Sequence, residues 1–241
     1  MVEEARVPKP EVATVVVAIV FVTALVTSAS YLAPYVGLAD YSALAVAVCF
    51  LGATWWLVLR HDAQTIELHG LALGGVLLPE PIEPRRALRS GLRALVVASV
   101  MLVVVAIPFW FGYRAWFSRG AFSFARTVPN VDAVLGQLFV IALPEEVFYR
   151  GWLQTSLDAR FAKEVRVFGL PLTWGIVITS AIFAVGHFLT IPNPARLAVF
   201  FPSLLFGALR RREGGIGAAF VFHAMCNLLS GAVAAGFSGA R

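Results

Sequence analysis

The chain has 241 residues, 59% of them hydrophobic and only 14% charged, with a mean hydropathy of +0.82; soluble domains run at roughly 45–50% apolar and 25% charged, so these values exclude an ordinary soluble domain and indicate a polytopic membrane protein. The net charge of +5 would suggest anionic partners in a soluble protein, but in a membrane protein the placement of Lys and Arg carries the information, and nucleic acid is not an expected partner. Cys49 and Cys226 both fall in apolar segments and match no metal or redox spacing, which argues against a structural disulfide.

No composition shift, Gly/Ser-rich linker or internal repeat divides the chain, so residues 1–241 are expected to form a single membrane domain. Apolar windows of about 20 residues are long enough to span a bilayer. They follow one another at 12–34, 41–60, 92–113, 132–156, 172–190, 196–210 and 215–236. The expected fold class is all-α, a polytopic membrane helical bundle of about seven transmembrane helices.

The tail before the first span mixes charges. Ser28, Ala29 and Ser30 are small enough for a processing site, but the apolar run continues to about Pro34, and the first span is expected to remain uncleaved. Residues 61–91 hold the apolar stretch 71–78 followed by P-E-P-I-E-P-R-R; they are expected to form a cytoplasmic loop, carrying His61 and His69, whose apolar patch rests on the membrane surface. Asn130 and Asp132 are expected caps before the fourth span, and Pro171 stands at the start of the fifth. Pro192, Pro194 and Pro202 interrupt the fifth and sixth.

With the N-terminus inside, the inner set of cations is Arg6, Lys9, Arg60, Arg85, Arg86, Arg89, Arg93, Arg160, Lys163, Arg166 and Arg210 to Arg212. The outer set is Arg114, Arg119, Arg126, Arg196 and Arg241. The positive-inside rule then gives an N-in, C-out arrangement and a cytoplasmic N-terminus.

The fourth span contains P-E-E-V-F-Y-R-G at 144–151. Ionisable groups at that depth are costly and usually mark a site or a pathway. On a helix Glu146 and Arg150 share a face and can pair, while Glu145 sits about 100° around the axis, free of that arginine. Pro144 removes the bond to the carbonyl of Val140 and is expected to bend the helix one turn before the glutamates. Further along, His187 lies in A-I-F-A-V-G-H-F, and His223 and Asn227, four apart and therefore on one face, lie in F-V-F-H-A-M-C-N. Three helices thus each turn polar groups toward the bundle interior, since leaving them unpaired in lipid costs too much.

A lone histidine in an apolar helix is more often a hydrogen-bonded packing group, a Glu-Arg pair a clamp, and an asparagine interhelical glue. Together they suit general-base hydrolysis: a carboxylate and an imidazole can remove the proton of one water as it attacks a carbonyl. A second imidazole and a carboxamide can donate to the developing oxyanion. Serine catalysis fits poorly, because G-x-S-x-G is absent and Ser180 and Ser203 have no positioned base. An aspartyl dyad is excluded because Asp132, at the expected cap of the fourth span, is the single aspartate in the seven spans. Zinc held by Glu145, His187 and His223 is an alternative, two histidines and a carboxylate being a catalytic ligand set, although H-E-x-x-H is missing. A non-catalytic peptide-binding protein and a proton-coupled transporter use the same residue types and stay open at this point.

The ordered set Glu145-Glu146-x-x-x-Arg150, Phe183-x-x-x-His187 and His223-x-x-x-Asn227 resembles the motifs of the CAAX protease and bacteriocin-processing family of intramembrane endopeptidases, which includes the type II CAAX prenyl endopeptidase. The likeness covers about residues 132–230, the expected catalytic core; the first three spans carry no matching motif. The resemblance implies a glutamic peptidase with no obligatory metal or other cofactor. In it Glu145 and His187 would activate water, His223 and Asn227 would form the oxyanion hole, and Glu146 and Arg150 would support the site. It further implies a membrane-associated protein or peptide substrate, lipidated or carrying a C-terminal anchor as in the myxosortase-like branch, or a peptide-binding bacteriocin-immunity role. Compactness and an Arg/Ala/Val-rich usage point to a bacterial cell membrane.

Overall fold

The computed structural model describes residues 9–117 and 121–237; Arg6, Arg119 and Arg241 lie outside the described residues. The chain is helical almost throughout. Helix α1 is Val12–Leu32, and α2 is Ser42–Thr54 continued by a π-helical stretch, Trp55–Leu59. The two form a hairpin closed at Gly37, whose φ of 77° only glycine adopts without strain. Short α3 (Ala63–Leu68) and long α4 (Pro84–Trp116) follow. Helix α5 runs over 131–158, then a two-stranded antiparallel hairpin, β1 Glu164–Val167 and β2 Leu170–Thr173, leads to α6 (Trp174–Thr190), α7 (Phe200–Glu213) and α8 (Gly217–Phe237).

The seven longer helices occupy the seven expected segments. Among the described residues four stretches are long and apolar enough to cross a membrane by length and composition: Val12–Val36, Ala39–Leu59, Pro84–Trp116 and Gly217–Phe237. Their outward faces are apolar: Val17, Val20 and Phe21 on α1 and Val103, Val104 and Phe111 on α4 are all exposed. Exposed hydrophobics outside and polar groups within are the arrangement a bilayer demands. Helices α5, α6 and α7 are shorter, broken or more charged, and together with one face of α8 they hold the polar interior.

Three boundaries differ from expectation. Residues 61–91 do not lie on the membrane surface as a loop: Leu71 is fully buried and Leu73 and Leu78 pack against the same core as Phe148, Trp152 and Leu153. His69 is buried as well, its Nδ1–H donating to the Thr65 carbonyl at 2.8 Å, and desolvation holds its imidazole below the ordinary histidine range. The apolar stretch has found protein to bury against. The segment expected to open the fifth span at 172 is instead β2, with Pro171 opposite Arg166 in the register; Thr173 caps α6, its Oγ1 accepting from Ile176 N–H. Pro194 begins a 3₁₀ turn, Pro194–Val199, and Pro202 lies in the first turn of α7, where its missing N–H breaks no bond.

Leu71 also sets a steric limit. A Cβ on Gly151 would collide with the Leu71 side chain, which has no free space to retreat into. Gly151→Ala is therefore expected to lower stability in detergent by about 1–3 kcal/mol through overpacking. Leu71→Ala in the same chain should recover part of that loss, and thermal unfolding of the two singles and the double checks the coupling.

The two ends of the bundle differ in charge. At one end Arg160 donates to the Pro10 carbonyl, Arg93 pairs with Glu213 at 2.7 Å, Arg86 with Glu67 at 3.1 Å and Arg211 with Glu164 at 3.1 Å. At the other, Ser123 N–H bonds the Gly236 carbonyl at 3.0 Å, and Phe122 packs edge-on against Trp110 and Phe237.

Candidate active site

Helix α5 is not a regular α-helix. Asn130 caps it, its side chain accepting from Ala133 N–H at 2.8 Å. Two π-helical stretches, Gly136–Ala142 and Val147–Gln154, then flank one α-helical turn, Leu143–Glu146. The first widening ends just before Pro144: Leu143 N–H reaches back five residues to the Leu138 carbonyl. A wide turn accommodates a residue that cannot donate, and such bulges recur at functional sites. Pro144 thus changes the winding of the helix around the glutamates.

Glu145 and Glu146 face different neighbours. Both oxygens of Glu146 are engaged: Oε2 accepts from Arg150 Nε at 3.0 Å and Oε1 from His223 Nδ1–H at 3.1 Å. Arg150, fully buried like Glu146, also donates from a terminal nitrogen to Ser203 Oγ at 2.9 Å and lies between the rings of Phe183 and Phe206. Glu145 has no such ties. Its Oε2 is buried without a hydrogen-bond partner, 3.9 Å from His187 Nε2 and 3.8 Å from His223 Nε2. Both gaps exceed hydrogen-bond length. They leave one carboxylate oxygen facing two imidazole nitrogens across a space that a single small oxygen species can bridge.

The imidazoles are held in defined orientations. His187 Nδ1–H donates to the Phe183 carbonyl at 3.0 Å, and the ring lies against Phe183 at 4.3 Å. His223 stacks on Phe206 at 4.6 Å with 14° between planes. In each ring Nδ1 must be the protonated nitrogen, because its partner only accepts, and Nε2 is left toward Glu145.

Asn227 stands one turn beyond His223 on α8, its amide donating to Gln137 Oε1 at 2.9 Å. Asn227, Gln137, Glu145, Tyr149 and His187 line a cavity of about 620 Å³. The opposite wall comes from Thr23, Thr27 and Ser30 of α1 and from Ser42, Val46 and Phe50 of α2, and Arg196 borders it from the segment between α6 and α7. His223 lies behind Glu145 and is the most buried of the three converging groups.

The structure therefore brings Glu145, His187 and His223 to one point, sets Asn227 on the same cavity, and puts Glu146 and Arg150 behind them. Gln137, Ser203 and the hydroxyl-bearing residues of α1 and α2 complete the surroundings, and the sequence reading did not single them out in these positions. Among the described residues no group of three His, Cys, Asp or Glu side chains is placed to hold a metal ion. Cys226, between His223 and Asn227, packs against the apolar cluster of Ala98, Phe206, Leu209, Ala219 and Phe222.

Residues 127–229 match the profile of the family described as type II CAAX prenyl endopeptidase Rce1-like. No curated protein and no solved structure matches the chain.

Proposed function

We propose that the chain, whose residues 127–229 match the type II CAAX prenyl endopeptidase Rce1-like family, is an intramembrane endopeptidase that hydrolyses its peptide bond by a glutamic mechanism. The observation that carries this reading is the unpartnered Oε2 of Glu145 facing both His187 Nε2 and His223 Nε2. A water taken into that space gives one proton to Glu145 while the lone pair on His187 Nε2 accepts from its other O–H. The oxygen attacks the scissile carbonyl, and the C=O π pair moves onto the carbonyl oxygen.

The oxyanion so formed accepts hydrogen bonds from Asn227 and from His223 Nε2. Because His223 Nδ1–H is given to Glu146, Nε2 donates only when it also carries a proton. That form is cationic, and the Glu146 carboxylate behind it supplies the counter-charge. Donors fixed in advance around an oxyanion are worth about 3 kcal/mol of barrier each. As the tetrahedral centre collapses, the C–N bond breaks and the proton held by Glu145 passes to the leaving nitrogen. Glu146 and Arg150 are positioning residues here: they touch His223 and Ser203, and no reacting atom.

The substrate class that fits is a membrane-associated protein or peptide, lipidated or held by a C-terminal anchor, in a bacterial cell membrane that the chain crosses with its N-terminus in the cytoplasm. Mass spectrometry of membrane-protein C-termini, compared between cells carrying the wild-type chain and His187→Ala, tests the reading. New C-termini are expected only with the wild type; identical sets would overturn it. Cleavage should persist in excess chelator, and activity lost to chelator and restored by zinc would replace the glutamic mechanism with a metal-dependent one.

A further inference from the structure

We propose that the cavity opens on the non-cytoplasmic face of the membrane and takes an exported peptide segment that presents a carboxylate to Arg196. The hydrolysis of that peptide rests on the endopeptidase reading; the face and the charge of the opening do not.

Helix direction alternates through the bundle, so every lining residue can be placed at one end or the other. Ser30 is in the last turn of α1, Ser42 in the first of α2, Gln137 near the start of α5, Thr190 at the end of α6, Arg196 just beyond it, and Ser230 in the second half of α8. All six belong to the same end. The opposite end holds the start of α1, the end of α2, the start of α4, the β hairpin and the end of α7. There Lys9, Arg60, Arg85 to Arg93, Arg160 to Arg166 and Arg210 to Arg212 gather, and of these Arg86, Arg93 and Arg211 pair with Glu67, Glu213 and Glu164. Such an asymmetry places the basic end in the cytoplasm, and the cavity consequently faces away from it.

Arg196 stands against this trend. Among the described residues the cations at the cavity's end are Arg114, Arg126 and Arg196, and of these Arg196 lines the cavity. Its Nε is buried with no hydrogen-bond partner, and no described carboxylate pairs with it. A guanidinium with an unused buried N–H, bordering a space that leads to Glu145, is suited to a planar anion such as a carboxylate. The carboxylate can be a chain terminus or an Asp or Glu side chain.

Thiol labelling tests both parts without any cleavage. In a full-length Glu145→Gln chain with Cys49→Ala and Cys226→Ala, a single Ser30→Cys or Thr190→Cys is expected to react with a membrane-impermeant maleimide in spheroplasts. Phe168→Cys, at the fully exposed tip of the β hairpin, should react only in inside-out vesicles. The reverse pattern, or no reaction of the cavity cysteines from either side, overturns the assigned face. At Thr190→Cys, a sulfonate-bearing thiosulfonate should react faster than an ammonium-bearing one relative to free cysteine, and Arg196→Gln should lower that ratio by roughly fivefold, the order expected for one charge a few ångström away in water. An unchanged ratio overturns the role of Arg196.

Protection distinguishes the sources of the anion. Millimolar acetyl-Ala-Val-Leu as the free acid should slow labelling if a terminus is read, and acetyl-Asp-Val-Leu-amide if a side chain is read. Equal protection by neutral acetyl-Ala-Val-Leu-amide, or protection by none of the three, overturns carboxylate recognition. Loss of cleavage alone would sink the peptidase reading and leave these readouts untouched.

Discussion

Glu145→Gln is expected to lower the cleavage rate by about three orders of magnitude while the protein stays folded, because a positioned general base contributes roughly 10²- to 10⁴-fold. The amide keeps the shape of the side chain and removes its capacity to take a proton. Its structural cost is small, since Glu145 Oε2 accepts no hydrogen bond that an amide would forfeit. The effect should fall on kcat, with KM little changed, because the interaction lost is made in the transition state. Steady-state cleavage of a substrate found in the C-terminal comparison, beside thermal unfolding in detergent, separates the two quantities. Full activity in Glu145→Gln would show that the adjacent histidines work without this carboxylate.

Arg150→Met is expected to reduce stability by about 3–5 kcal/mol, the usual consequence of leaving one member of a buried ion pair without its partner. Glu146 would be left at a fully buried position without its cationic partner, and Ser203 would lose its donor. Glu146→Gln with Arg150→Met should cost less than the two single losses added together, since the double variant buries no isolated charge. Unfolding midpoints of the three variants in one detergent close the cycle. A change below about 0.5 kcal/mol for Arg150→Met would mean that water or lipid headgroups reach Glu146.

The site was legible where polarity had to be explained. Glu145, Glu146, Arg150, His187, His223 and Asn227 stand out because apolar helices carry such residues only at a cost, and their spacings place them on inward faces. Their division of labour was less visible: the Glu146–Arg150 pair follows from four-residue spacing, but the bond from His223 to Glu146 depends on how α8 meets α5. The π-helical winding of α5 has no sequence signature beyond Pro144. Gln137 and Ser203 look like ordinary polar residues until their partners appear. The spacing of Thr23, Thr27 and Ser30, four and three apart on one face of an apolar helix, held a signal of the cavity wall that went unread. The stretch 71–78 misled because hydrophobicity reports the need for burial and is silent on whether lipid or protein meets it.

The cavity draws its walls from two separate stretches of chain. The groups proposed to react all lie within residues 127–229, the part that matches the family, whereas Thr23, Thr27, Ser30, Ser42 and Phe50 come from the hairpin of α1 and α2, outside it. The proposed hydrolytic groups and much of the cavity wall are thus housed in different stretches of the sequence. Exchanging the first two helices between relatives would re-tailor what is admitted while leaving the hydrolytic machinery as it stands.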